Sequence, residues 1–230
     1  MKIIANVQGT CAIRASPDDI APPKGILWSD VIAKISAIYK FAGIPGIQPG
    51  IIPQIPLAFQ SGEFQSEQEK IAIQNLFLTN SGVAVQTLTT EQSEIVLENL
   101  IALLDDSFGF RIRASSYKRD YVSHIVVQFE KSIESCVAAL ETINALVRNA
   151  MSIPVAEPFS LKRLAFGKEV FAQPNAAIQT LLGLDAVDRI DFTIERRVNH
   201  PFSDNRYYVA APIRTQELLH TLEEIEKTLA

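Results

Sequence analysis

The residues with the clearest capacity for chemistry lie in one short segment, NHPFSDN, at residues 199–205. It brings His200, Ser203 and Asp204 close together in sequence. A serine hydroxyl becomes a nucleophile when a histidine takes its proton and a carboxylate orients that histidine. Side chains within so short a loop generally cannot line up in that order, and the same residue types are those that tight turns use. We therefore expect a structural turn here and assign no catalytic residue.

A second polar group has the residue types of a metal-dependent nuclease, in which carboxylates hold magnesium and a nearby cation stabilises the phosphoryl group. Its members are Asp185, Asp188, Asp191, Glu195, Arg196 and Arg197. Asp191 and Glu195 fall among alternating apolar residues, as on the solvent-facing side of a half-buried strand, and charge pairing with a neighbouring strand explains them without a metal. The sequence has no P-loop, GxGxxG, GxSxG, HExxH or paired CxxC motif. We therefore predict neither a metal nor a cofactor.

Arginine is distributed unevenly: Arg14 is followed by ten others, which all lie between Arg111 and Arg214. The guanidinium group offers a rigid fork of donors that suits phosphate and carboxylate. Five of these residues are candidates for anion binding: Arg111, Arg113, Arg119, Arg196 and Arg206. They would form a phosphate pocket or a nucleic-acid track if the segment around Arg111 lay beside the hairpin at residues 196–206. Ion pairing with the acidic residues of the same region is the alternative interpretation.

The most unusual segment is GIPGIQPGIIPQIPLAFQSG, at residues 43–62, where prolines interrupt an otherwise apolar run. Proline excludes a helix and weakens strand pairing, yet the segment is too apolar for an ordinary solvated loop. It must therefore lie against other apolar groups, either as a strap over the core of its own domain or as an arm that docks on a partner chain. The residues predicted to form such an interface are Ile47, Ile51, Ile52, Ile55, Leu57 and Phe59.

Apolar periodicity predicts an α+β fold of mostly antiparallel sheet with helices packed on one side. Predicted strands cover residues 2–7, 70–80, 83–89, 121–129, 188–198 and 206–212, with a further hairpin or bent strand around Gly167. Predicted helices cover 29–42, 89–105, 132–150, 175–184 and the region from Thr215 onward. Ser29 and Gly43 are the predicted limits of the first helix, and Thr89 with Gln92 fits a capping box. Two strands precede a helix twice, which indicates two strand-strand-helix units.

A chain of 230 residues is long enough to bury a sizeable core, since about 70% of the unfolded surface can be removed from water at this size. The predicted ranges are 1–69 for an N-terminal helix with the strap, 70–150 for a hairpin-helix-strand-helix unit and 151–230 for a second α+β unit. One continuous domain is the alternative. The joint between the last two ranges is predicted at residues 151–158, which contain two prolines.

Cys11 and Cys136 lie far apart in a chain that needs no cross-link, which indicates reduced thiols and a cytoplasmic protein. No run approaches the roughly 20 apolar residues of a spanning helix, so we predict no membrane insertion. A net charge of −5 and the lack of a basic helix favour a protein partner over nucleic acid. We therefore expect a non-enzymatic interaction protein, a subunit of a homo-oligomer or larger complex. The alternative is a phosphate-ligand or nucleic-acid binding protein, or a nuclease-like enzyme, that uses the arginine-rich middle region.

Overall fold

The computed structural model describes residues 1–14, 27–46, 57–79, 82–110, 119–137, 161–169, 189–197 and 199–229, together with Ile143 and Leu146. In these residues eight strands form one antiparallel sheet. They are β1 (Lys2–Arg14), β2 (Leu57–Gln65), β3 (Lys70–Thr79), β4 (Gly82–Thr87), β5 (Arg119–Gln128), β6 (Arg163–Glu169), β7 (Arg189–Arg196) and β8 (Arg206–Ala211). The order across the sheet is β2-β3-β4-β1-β5-β8-β7-β6. The prediction of an α+β fold with antiparallel pairing is confirmed, and the sheet dominates it.

The described helices are α1 (Trp28–Tyr39), α2 (Thr90–Phe108) and α3 (Thr215–Thr228). α1 and α2 share a core with β1 to β4, in which Ile35 and Leu100 are fully buried. α3 forms a second core with β5, β7 and β8, in which Leu218 is fully buried. Tyr121 packs against the first core and Ile125 belongs to the second, and alternation places both on one face of β5. The helices therefore cover one face of a sheet whose strands come from all three predicted ranges.

α1 differs from its predicted range at both ends. The helix begins at Trp28, so Ser29 lies inside the first turn and does not cap it. It ends before Lys40, which adopts the left-handed conformation with φ of 48°. Gly43, the predicted stop, instead pairs through its backbone with Gln60 on β2. The predicted end was wrong because the apolar residues after the helix continue its spacing while packing against the sheet.

The N-terminal cap predicted for α2 is confirmed, since the hydroxyl of Thr89 accepts a hydrogen bond from the backbone N–H of Gln92 at 3.3 Å. The Gln92 side chain does not complete the capping box. Its Nε2 donates to the carboxylate of Glu69 at 3.0 Å. The helix continues past its predicted end and terminates at Gly109, which takes the left-handed conformation with φ of 69°. Polar residues at 105–107 break the apolar pattern, so the sequence pattern does not predict this last turn.

β1 extends beyond its predicted range, Lys2–Val7, because Gly9 and Thr10 interrupt the apolar pattern without ending the strand. Gly9 is required for a steric reason. The start of α2 crosses β1 at this residue, and a Cβ on Gly9 would lie well under 3.0 Å from the backbone of Thr89 and Thr90. Glycine alone lets the helix pass so close to the strand.

α2 and α3 begin beside each other, and two threonines join them through reciprocal hydrogen bonds. The N–H of Thr90 donates to the hydroxyl of Thr215 at 3.0 Å, and the N–H of Thr215 donates to the hydroxyl of Thr90 at 2.8 Å. The Thr215 hydroxyl also lies 3.1 Å from the hydroxyl of Ser123 on β5. All three residues are buried, so this junction fixes the starts of both helices against the centre of the sheet.

Replacing Thr215 by valine tests this junction, because the shape is kept while the buried N–H of Thr90 loses its acceptor. We expect the free energy of unfolding to fall by about 2 kcal/mol, the cost of an unpaired buried donor. Thr221→Val is the matched control, since the Thr221 hydroxyl donates to the carbonyl of Glu217 within its own exposed helix face. It should change stability by less than about 0.5 kcal/mol. Denaturant unfolding would contradict the role of the junction if the two variants were equally stable.

The remaining predicted elements are described in part. β5 is central in the sheet, as its apolar run predicts. Ser132 caps a 3₁₀ turn at Ile133–Cys136 where the start of an α-helix was predicted, and Val137 after it is not helical. Beyond Val137, only Ile143 and Leu146 of this predicted helix are described, and both are helical. β6 runs through Gly167 as a single strand, and the short helix predicted at 175–184 lies outside the described residues. None of the described helices combines the length and apolar character needed to cross a membrane.

Candidate interaction site

One half of β1 has a neighbouring strand on one side only. β5 pairs along nearly the whole of β1, whereas β4 pairs with it only from Gly9 to Arg14. β4 ends at Thr87 because the chain turns out of the sheet there and enters α2. In the part of the chain that the structure describes, the segment Lys2–Val7 therefore has a free edge.

The far side of the gap beside this edge is β3, which continues beyond the end of β4. β3 pairs with β2 from Lys70 onward but with β4 only from Asn75 to Thr79. Residues 70–74 thus face β1 across a gap one strand wide, which corresponds to about 10 Å between β1 and β3. We call this space the β1–β3 gap. The Nε2 of Gln74 reaches across it and donates to the carbonyl of Val7 at 3.0 Å, so a side-chain amide replaces the backbone N–H of a missing strand.

The free edge is exposed and largely apolar. Every residue from Lys2 to Val7 is exposed, and three of them are large apolar residues: Ile3 at 47%, Ile4 at 37% and Val7 at 37%. Register shifts at Ile4 and Val7 mark two β-bulges against β5. Bulges and charged residues are devices by which proteins limit unspecific pairing along a strand edge. The edge therefore has the features of one that stays unpaired in solution.

Both ends of the free edge are held in place. At its start, the side chain of Met1 is 3% exposed and the amino group pairs with Glu226 on α3. The other oxygen of Glu226 accepts a hydrogen bond from the N–H of Glu130 at 3.0 Å. At its end, β1 enters the sheet between β4 and β5 at Gly9. An edge fixed at both ends is pre-organised for binding, because little order has to be gained there.

Comparison with known proteins does not identify a function for this chain. No family model and no curated protein matches this chain. What the protein does must therefore be inferred from which side chains are committed to the fold and which surface is left free.

The strap predicted as an interface is covered only in part by the described residues. Leu57 and Phe59 belong to β2 and are buried in the core of their own chain, at 2% and 0% exposure. The ring of Phe59 lies 5.2 Å from the ring of Phe41. The assignment of Leu57 and Phe59 to an exposed interface is therefore corrected. The other four candidates lie outside the described residues: Ile47, Ile51, Ile52 and Ile55.

Arg196, a candidate for anion binding, is bound by groups of its own chain and is 7% exposed. Its Nε donates to the carbonyl of Leu161 at 3.0 Å, and its Nη1 donates to the carbonyl of Phe202 at 2.9 Å. Its Nη2 donates to the hydroxyl of Ser132 at 2.8 Å and lies 3.3 Å from the carboxylate of Glu134. These contacts compensate the buried charge and fasten β7 to three other segments, so they favour a structural role over an anion site.

Arg119 belongs to a charged cluster that joins α2, β5 and the start of α3. Glu94 on α2 pairs with Arg119 and also with Arg214, the latter at 3.1 Å. The hydroxyl of Tyr121 donates to Glu94 at 2.9 Å, and the guanidinium of Arg214 lies 4.7 Å from the centre of the Tyr121 ring. Arg119 also pairs with Glu98 at 3.0 Å. Burial opposes the charge, but the bonds to Glu94 raise the pKa of Arg119 overall. The two arginines of this cluster are thus balanced by two glutamates.

The anion candidates within the described residues do not converge. Arg196 pairs with Tyr207, so it lies near Arg206, but alternation places the two arginines on opposite faces of the sheet. Arg119 begins β5, whereas Arg206 lies opposite Gln128 at the other end of that strand. The strand between them is about 30 Å long. The Nη1 of Arg206 lies 3.4 Å from the Nδ1 of His200, and its buried Nε has no hydrogen-bond partner among the described residues. The remaining two candidates lie outside the described residues: Arg111 and Arg113.

The loop NHPFSDN forms a tight turn between β7 and β8. Asn199 and Asn205 take the left-handed conformation, with φ of 68° and 49°. The Nδ1 of His200 lies 4.0 Å from the carboxylate of Asp204, and Ser203 is exposed. The side chains surround a turn and are not aligned as a nucleophile, a base and an orienting group.

The acidic group on β7 is described only in part. Asp191 and Glu195 lie on this strand, opposite Gly167 and Arg163 of β6. Asp185 and Asp188 lie outside the described residues. Within the ranges that the structure describes, no three His, Cys, Asp or Glu side chains come together as a metal site.

The buried Cys11 and the half-buried His124 have the best nucleophilic or acid–base chemistry among the described groups away from the surface, and they lie on opposite faces of the sheet. Burial raises the pKa of the Cys11 thiol to about 12, which keeps it protonated. The Nδ1 of His124 lies 2.5 Å from the hydroxyl of Tyr208. Burial lowers the pKa of His124. Because the sheet separates the thiol from the imidazole, these two groups do not form a nucleophile and its base.

The free edge itself is the feature that sequence reasoning missed. The pattern predicts a strand at Lys2–Val7 but gives no information on which strands lie beside it. Two signals were present, since Ile3 and Ile4 break strict alternation and Gly9 marks a close backbone approach. Both acquire this meaning only when the pairing of β1 with β4 is known.

Proposed function

We propose that the protein is a non-catalytic cytoplasmic interaction protein that binds an extended segment of a partner protein along the free edge at Lys2–Val7. The observation that carries this is the one-sided pairing of an exposed, apolar stretch of strand next to a gap inside the sheet. An unpaired edge presents backbone donors and acceptors, and an added strand satisfies them. The free thiols of Cys11 and Cys136 support the cytoplasmic location.

The shape of the β1–β3 gap favours a single extended segment over the edge of another sheet. β3 lies on the far side of the gap, so a second sheet would collide with it. An incoming strand antiparallel to β1 continues the line of β4, and every pairing described in this sheet is antiparallel. The segment would displace the Gln74 amide from the carbonyl of Val7 and place a backbone N–H there.

We also infer that the sheet is built from two strand-strand-helix units, β3-β4-α2 and β7-β8-α3. In support, each helix begins at a threonine shortly after the second strand ends, and Thr90 and Thr215 bond reciprocally. In the second unit, the part of β5 that extends beyond β8 is half-buried and carries Tyr121 and Arg119, which are bound to Glu94. The matching part of β1 is exposed, so the edge beside β1 is the better candidate for binding.

Peptides selected from a random dodecamer library on the purified protein test this proposal. We expect the double variant Ile4→Lys with Val7→Lys to weaken their binding at least about tenfold, because lysines on a strand edge oppose strand addition. The matched control is Ile38→Lys with Ile95→Lys, on α1 and α2. All four positions are 37% exposed in the native protein, so the control changes charge and surface apolarity equally and should keep full affinity.

Amide exchange of the complex locates the bound peptide. Slower exchange in Lys2–Val7 and in residues 70–74 is the expected result. Peptides that protect other amides, or that bind equally to both double variants, would show that the free edge is not the binding site.

A further inference from the structure

We infer that the segment bound at the free edge is basic, an extended stretch in which lysine or arginine alternates with β-branched residues. This inference rests on the proposed strand addition and adds the chemistry of the partner. It is drawn from the charges of the elements that enclose the β1–β3 gap, because complementary charge selects among segments that pair equally well through their backbones.

The helices beside the gap are strongly acidic. α2 has no lysine or arginine and carries five acids: Glu91, Glu94, Glu98, Asp105 and Asp106. α3 carries one lysine, Lys227, against four acids: Glu217, Glu223, Glu224 and Glu226. The turn that leads into β3 adds Glu67 and Glu69. Glu91 lies at the end of α2 beside the gap, whereas Asp105 and Asp106 lie at its far end. The strands that enclose the gap contribute Lys2 and Lys70, and the acids around them are more numerous, so the balance of charge favours a cationic ligand.

One contact shows which face of α3 is turned toward β1, since Glu226 pairs with the amino group of Met1 at the start of β1. Glu223 lies one turn before Glu226, and this spacing places the two on the same helix face. Because Glu223 is exposed, it adds a solvated negative charge to the side of α3 that faces the edge.

The acidic charges near the gap are only partly compensated. Glu94 is balanced by Arg119 and Arg214 within its own cluster. Lys70, at the start of β3, pairs with Glu63 on β2. The exposed acids Glu67 and Glu223 lie on elements that border the gap. Among the described residues neither has an ion-pair partner in direct contact, although Lys227, which pairs with Glu224, also interacts with Glu223 at longer range.

The test compares two capped octapeptides, one of alternating valine and lysine and one of alternating valine and glutamate, by fluorescence anisotropy on the full chain. We expect the lysine peptide to bind at least about tenfold tighter at low salt, with the difference shrinking at about 0.5 M salt as screening removes the electrostatic part. Glu67→Gln with Glu223→Gln should reduce that preference about threefold. Asp105→Asn with Asp106→Asn, at the other end of α2, makes the same charge change and should leave it unaltered.

The outcomes separate this inference from the proposed function. Equal affinity of the two peptides, with binding abolished by Ile4→Lys with Val7→Lys, would overturn the basic segment and leave strand addition standing. The lysine peptide could instead bind the double variant Ile4→Lys with Val7→Lys as tightly as the native protein. Its binding would then come from attraction to the acidic helices, and both the basic segment and strand addition at the free edge would be overturned. Absence of binding by either peptide would also overturn both.

Discussion

Replacing Gly9 by alanine is expected to lower the free energy of unfolding by about 3 kcal/mol, because the added methyl group has no space. The atoms it would meet are backbone atoms of Thr89 and Thr90, which cannot rotate away as a side chain can. The start of α2 would have to lift from β1. That movement would also strain the Thr90–Thr215 junction, so the packing of both α2 and α3 would be weakened.

Gly46→Ala is the matched control for this prediction. A Cβ on Gly46 would meet nothing within 4 Å, and Gly46 is exposed. Its free energy of unfolding should change by less than about 0.5 kcal/mol. Equal stability of the two alanine variants in denaturant unfolding would show that α2 does not cross β1 at Gly9, and the explanation for the end of β4 would fail with it.

Replacing Arg196 by alanine is expected to cost about 3–5 kcal/mol, as removal of one partner from a buried charged network does. The change leaves the carboxylate of Glu134 without its cation and the carbonyl of Leu161 without its donor, while the carbonyl of Phe202 keeps only the N–H of Asn205. The Phe202 ring also loses the guanidinium, which lies 4.6 Å from its centre. Arg196→Lys keeps the charge but not the planar fork of donors, so we expect it to recover less than half of the loss.

Arg163→Ala, on the exposed neighbouring strand β6, controls for the loss of an arginine from this part of the sheet. Arg163 is exposed, and its removal should change stability by less than about 0.5 kcal/mol. Thermal or denaturant unfolding distinguishes the variants. A stable Arg196→Ala protein that had instead lost affinity for phosphate would revive the anion-site interpretation of this residue.

Local sequence patterns account for most of the secondary structure. β3, β5, β7 and β8 follow from runs of apolar and β-branched residues, and α2 and α3 follow from apolar residues at helical spacing. The sequence also predicts the cap at Thr89, because its hydroxyl bonds to a backbone N–H only three residues away. Interactions of this kind depend on near neighbours in sequence, which is why a single sequence contains them.

The features that matter for the proposed function depend on residues far apart in the chain. The gap beside β1 arises because β4 ends where α2 crosses β1 at Gly9. The types of residues 2–7 predict neither the end of β4 nor the position of α2. In the same way, the sequence places Arg196 on an apolar strand face. It does not show that backbone carbonyls and the carboxylate of Glu134 lie within bonding distance of its guanidinium group. Leu57 and Phe59 were misassigned because the apolar run of the strap continues without a break into β2.

Site-resolved amide hydrogen exchange along β1 in the free protein tests the proposed free edge most directly. Residues Thr10–Ile13 pair with a strand on both sides, so all of their amides should be strongly protected. In Ile3–Val7, protection should be confined to amides that bond to β5, and those facing the gap should exchange about 100-fold faster. Uniform protection of Ile3–Val7 at the level of Thr10–Ile13 would show that the edge already has a second neighbour and would contradict strand addition by a partner.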